Sequence, residues 1–138
     1  MASYYGEDVG TEIDSVDLDS GTLTLTFTAT EDHITPAGTL DEALVATITD
    51  NNTSTLLAVF GTARNNAPVT TSVTLSLSVQ ACAPIAVNSP VQVVCRITNP
   101  GLGIPHASAT FRCAQDPSVV YAVCSHTKFV KDVGIGKL

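Results

Sequence analysis

Three carboxylates, Asp41, Glu42 and Asp50, are the residues of this sequence best placed to do chemistry. Asp50 follows Ile48 and precedes Leu56-Leu57, and an aspartate inside an apolar segment is usually either functional or paired. Grouped around one pocket, the three would hold protons that isolated carboxylates release. A protonated carboxyl near neutral pH is a general acid, suited to proton transfer, dehydration, isomerisation or cyclisation. The plainer alternative is structural: acidic residues favour the first turn of a helix, and Glu42 would complete a capping box with Thr39. His33 stands just before this segment, either lining a pocket or serving as a polar loop residue. His106 and His126 read as strand or loop histidines. The histidines and cysteines lack metal-ligand spacing, so no metal is expected, and no cofactor is expected either; no G-x-S-x-G elbow marks a Ser-His-Asp triad.

The carboxylates need a scaffold, and the hydropathy pattern supplies one. Thr11–Asp17 and Thr22–Thr30 read as a hairpin turning at Asp19-Ser20-Gly21, with Leu23, Leu25, Phe27 and Ala29 on one face. Residues Thr39 to Phe60 read as a helix buried nearly all round, capped by Thr39 and closed by Gly61. The threonine- and asparagine-rich centre of that helix has poor propensity, which burial would have to override. Four strands follow: Val69–Val79, Val91–Thr98, Ala107–Cys113 and Val119–Val130. In the first of them Val73, Leu75, Leu77 and Val79 are expected to share a face. Breakers at 99–103 and 115–117 separate the later strands. The order predicts one α+β domain over residues 1–138, with 1–10 an extension and 131–138 a tail, and one long helix packed on an antiparallel sheet.

Composition narrows the partners. Thirteen acidic against six basic residues give a net charge of −7, and the cations are scattered, which argues against nucleic acid. Only 14% of residues are charged, so an apolar surface covered by another subunit is expected, in a homodimer or homotetramer. No apolar run reaches the roughly 20 residues of a membrane span, and the acidic start is unlike a signal peptide. A cytoplasmic protein with reduced, buried cysteines at Cys82, Cys95, Cys113 and Cys124 is the expectation.

The run His33-Ile34-Thr35-Pro36-Ala37-Gly38-Thr39-Leu40, followed by Leu44-Val45-Ala46-Thr47-Ile48-Thr49-Asp50-Asn51, resembles hotdog-fold acyl-CoA thioesterases of the phenylacetate-pathway type and their mammalian relatives. Ser125-His126-Thr127-Lys128-Phe129-Val130 is similar to their closing strand. The likeness implies a hotdog domain, a long central helix wrapped by about six antiparallel strands. It implies Asp50 as general base or nucleophile at a thioester carbonyl, and Ser72, from a facing subunit, as the residue that positions water. It implies that His33, Thr35, Gly38 and Asn51 line the substrate site.

Two positions depart from that pattern. Thr35 stands where the family has asparagine, and Asp41-Glu42-Ala43 where it has His-Gly-Gly. A backbone N–H at Glu42 can still serve a developing oxyanion, but adjacent carboxylates oppose negative charge there, and each 1.4 kcal/mol of opposition costs about tenfold in rate. The loop 99–106 also lacks the cations that would hold coenzyme A phosphates, leaving only Lys128 and Arg64. Three readings result: hydrolysis of an apolar acyl thioester, free or carrier-bound; a non-hydrolytic acid–base enzyme (dehydratase, isomerase or cyclase) of a biosynthetic pathway using Asp41, Glu42 and Asp50; or a non-catalytic protein holding an apolar ligand.

Overall fold

Alternating segments of the sequence form the sheet, and a segment whose centre has poor helix propensity forms the helix that lies across it. The computed structural model describes residues 10–65, 69–101 and 103–132. The strands are β1 (Glu12–Asp17), β2 (Thr22–Thr28), β3 (Val69–Ala81), β4 (Pro90–Asn99), β5 (His106–Cys113) and β6 (Val120–Asp132), and the helix α1 spans Glu42–Asn65. They form a six-stranded sheet of order β1-β2-β4-β5-β6-β3 with every pairing antiparallel. The expected extension and tail fall largely outside the described residues.

Alternation decides which face the helix covers. Leu23, Leu25 and Phe27 on β2, Val91, Val93 and Cys95 on β4, and Ala109 and Phe111 on β5 are all buried against α1. The register lines these up across strands, Leu25 opposite Val93 and Val93 opposite Phe111. Phe27 and Phe111 meet edge to face, with centroids 6.2 Å apart. The small residues Ala109, Ala122 and Cys124 are buried in the same core cluster.

The helix tolerates its threonines because they bond to it. Thr47, Thr49, Thr53, Thr55 and Thr62 each donate a hydroxyl to the carbonyl four residues earlier. Thr49 and Thr53 are thereby buried with their polar atoms satisfied.

Three expectations require correction. The cap of α1 is Asp41, whose Oδ1 accepts the Ala43 N–H at 2.9 Å, and not Thr39, which is bridged to Ala86 in the preceding loop. Gly61 does not end the helix, which runs on to Asn65; a helix-interior glycine costs only about 1 kcal/mol. The apolar series on β3 does not share a face, because a bulge between Thr74 and Ser76 shifts the register against β6. Val73 and Leu75 are exposed, while Val79 packs on the core.

Candidate functional site

The bulge has a chemical result: it turns Thr74 towards the helix while Val73 faces out. Opposite, β6 continues its inward series Ala122, Cys124, His126, Lys128 with two polar residues, all four buried. His126 is 1% exposed, with Nδ1 2.7 Å from Thr53 Oγ1 on α1 and Nε2 2.8 Å from Thr74 Oγ1 on β3. Nε2 also lies 3.8 Å from Asp50 Oδ1. Lys128, 5% exposed, donates from Nζ to Ser54 Oγ at 2.7 Å, and Ser54 Oγ donates to Asp50 Oδ1 at 3.2 Å.

The protons of this network can be assigned. Thr53 has one hydroxyl hydrogen, and the Thr49 carbonyl at 2.6 Å can only accept it. The Thr53 oxygen therefore accepts from Nδ1–H of His126, leaving Nε2 with a lone pair that accepts the Thr74 hydroxyl. Burial favours this neutral imidazole and lowers its pKa, opposed by the Asp50 carboxylate and aided by the Lys128 charge. Nε2 and Asp50 Oδ1 are then two acceptors side by side. Burial likewise lowers the pKa of Lys128, and Asp50 opposes it. The Asp50 side chain remains 48% exposed, so a carboxylate open to solvent sits on a polar network that is otherwise mostly enclosed.

The second cluster lies at the start of α1. Thr35-Pro36-Ala37-Gly38 forms a turn closed by the Gly38 N–H on the Thr35 carbonyl at 2.9 Å, with Gly38 at φ 82°. The His33 carbonyl accepts the Asp41 N–H at 2.9 Å, and its ring Nδ1 is 2.9 Å from Thr30 Oγ1. The N–H of Glu42 has no acceptor among the described residues. A cleft of about 290 Å³ opens here, lined mainly by Leu40, Glu42, Val45, Val79, Ile85 and Tyr121.

Glu42 and Asp50 are eight residues apart on one helix, a separation of about 12 Å. One chain thus brings Asp41 and Glu42 together but does not gather all three carboxylates round one pocket. Asn51 is exposed next to Asp50, and Ser72 is exposed on β3, two residues before Thr74. Thr35, His33 and Gly38 frame the loop before the helix and are not among the residues lining the cleft.

The sequence pattern does not single out Thr53, Ser54 or Thr74, and it reads His126 as a strand or loop histidine. The period-two continuation from Ala122 and Cys124 carries the signal that turns His126 and Lys128 inward. Lys128, expected as a phosphate contact, is held by Ser54 instead. The Arg64 side chain lies outside those described.

The four thiols are unpaired. Cys95 and Cys124 are buried as expected, and burial pushes the Cys95 thiol up to about 12. Cys82 is exposed and Cys113 only half-buried, with the Cys113 pKa lowered by the backbone N–H groups of Gln115 and Asp116. Among the described residues no cluster suits a metal, and no helix is long and apolar enough to cross a membrane.

No family model and no curated protein matches the chain. Solved structures do. AziG of S. sahachiroi superposes with a TM-score of 0.80 at 16% identity, over 94% of this chain and 97% of that one. A phenylacetic acid degradation-related protein of Ralstonia eutropha gives 0.73 at 19% identity, over 88% and 86%. A hypothetical thioesterase protein of Streptococcus pneumoniae TIGR4, with coenzyme A, gives 0.75 at 13% identity, over 89% and 87%. One long helix on a six-stranded antiparallel sheet, matched over most of its length by these proteins, is the hotdog fold.

Proposed function

We propose that this chain is an acyl-thioester hydrolase in which Asp50 is the general base. The observation that carries the reading is the Asp50 carboxylate, half-open to solvent above buried His126 and Lys128. The Thr74 hydroxyl hydrogen is committed to His126, so its oxygen lone pairs are left to accept from a water beside Asp50. His126 positions Thr74 and holds no proton that a substrate needs.

The oxyanion donor under this reading is the Glu42 N–H at the helix start, backed by the helix dipole. About 12 Å of helix separates it from Asp50, whereas reacting atoms must come within about 3–3.5 Å. The working site therefore combines Asp50 of one copy with Glu42 of a second. The open edge of β3, with Ser72 and Thr74 on it, supports such a pairing, and Ser72 of the second copy would help orient the water. The cleft beside Glu42, with Leu40, Val45, Val79 and Ile85 in its wall, would take the acyl chain, and the coenzyme A held by the S. pneumoniae neighbour makes acyl-CoA the first substrate to try.

Hydrolysis of acyl-CoAs of graded chain length tests the reading. Activity that falls about 10²–10⁴-fold in Asp50→Asn supports it. A correctly folded oligomer inactive on every thioester overturns it. One observation favours a second reading: Glu42 is among the residues lining the cleft, where the thioesterase pattern has glycine. Turnover of an acyl substrate without hydrolysis, lost in Glu42→Gln, would select the acid–base enzyme instead.

A further inference from the structure

Lys128 is a buried cation with a single hydrogen-bond acceptor, Ser54 Oγ, among the described residues. A buried ammonium is expensive unless it is well paired. Here it spends its one short bond on a hydroxyl, although the Asp50 carboxylate lies just beyond. Ser54 thus has its hydrogen directed at Asp50 Oδ1 and its oxygen facing an ammonium. A hydroxyl within hydrogen-bond reach of a base is the core of an activated nucleophile, and a cation on its oxygen stabilises the alkoxide character that develops on attack. The i, i+4 spacing of Asp50 and Ser54 on α1 fixes them on one face, and Lys128 is locked from below by β6.

We infer that Ser54 is an acyl-accepting nucleophile, with Asp50 as its base and Lys128 as the cation that steadies its oxygen. The inference rests on the reading of Asp50 as base in a thioester hydrolase and adds a covalent step to it. Ser54 Oγ attacks the carbonyl carbon and its proton passes to Asp50. The tetrahedral intermediate collapses with cleavage of the C–S bond, and the thiolate takes the proton from Asp50 and leaves as a thiol. The acyl group remains as an ester on Ser54. Water then adds to that ester, Asp50 receives its proton and returns it to Oγ as the C–O bond breaks, and the acid is released. Lys128 stays protonated throughout, and no oxidant or cofactor enters.

The test is intact-protein mass spectrometry after acid quench, using p-nitrophenyl hexanoate, which needs no carrier recognition, and hexanoyl-CoA in parallel. The expected result is a gain of one hexanoyl group less a hydrogen, mapped to Ser54. It should be absent in Ser54→Ala, be restored in Ser54→Cys as a thioester, and form at least tenfold more slowly in Lys128→Met. Circular dichroism of each variant separates loss of the nucleophile from loss of fold. Wild-type hydrolysis with no label, together with a full rate in Ser54→Ala, overturns the inference and leaves the hydrolase reading standing. A label on Asp50 or Cys82 also overturns it. Labelling of Ser54 by the activated ester, with no thioester hydrolysed, upholds the nucleophile and removes the hydrolase.

Discussion

The imidazole Nε2 of His126 lies 3.8 Å from Asp50 Oδ1, yet in the tautomer set by Thr53 no hydrogen bond joins them. The ring is held by two threonine hydroxyls, one from the helix and one from the edge strand. It fastens those two elements together beneath the carboxylate and leaves the carboxylate itself free to act.

Stability should depend on pH through this ring. The pKa of His126 in the folded protein is below the usual 6.5, so the unfolded chain binds the proton more readily. The contribution is complete above the unfolded value and is lost as pH falls through the folded one. Urea midpoints should therefore drop between pH 7.5 and pH 5, and the drop should flatten in His126→Gln. Parallel pH profiles for the two proteins would contradict the assignment.

Thr53→Val should destabilise by about 1–3 kcal/mol, because it leaves the buried Nδ1–H of His126 unpaired. Thr53→Ser, which restores the hydroxyl, should recover most of that loss. Thermal denaturation of the three proteins at pH 7.5 measures it.

Much of this architecture was legible in the sequence. The alternation of Leu23, Leu25 and Phe27, and of Val91, Val93 and Cys95, located strands whose inner faces the structure buries. The apolar positions of α1 mark it as a helix against its propensity, but Thr39 and Gly61 do not mark its ends. Thr39 and Asp41 are both good caps, and the choice is made only in three dimensions, where Asp41 takes the Ala43 N–H and Thr39 is bridged to Ala86. The polar network stayed hidden for a different reason. Thr74 reaches His126 only because one extra residue at the bulge reverses the facing of β3, and a bulge leaves no mark on a run of alternating threonine, serine and valine.

Asp41→Asn isolates the charge at the helix start. Asparagine caps as well as aspartate, so stability should change by only a few tenths of a kcal/mol. Removing a carboxylate from beside the Glu42 N–H should raise thioester hydrolysis by up to about tenfold. Steady-state kinetics with one acyl-CoA decides it, and an unchanged rate would place the oxyanion elsewhere.

Asp41→Ala, in contrast, removes the cap itself and should cost about 1 kcal/mol in chemical denaturation. If Thr39 were the cap, this variant would keep full stability while Thr39→Ala lost it.

The threonine ladder of α1 bears on how the chain folds. Threonine, asparagine and aspartate fill the middle of a helix whose hydroxyls are satisfied only once the turn is already wound. A peptide of residues 42–65 should be largely coil in water, so the helix can hardly nucleate folding and must wait for the groove made by β2, β4 and β5. Those strands lie on either side of it in the chain, so closing the groove requires long-range pairing first. Folding should be slow and all-or-none, with helical circular dichroism and sheet-core burial appearing in the same kinetic phase.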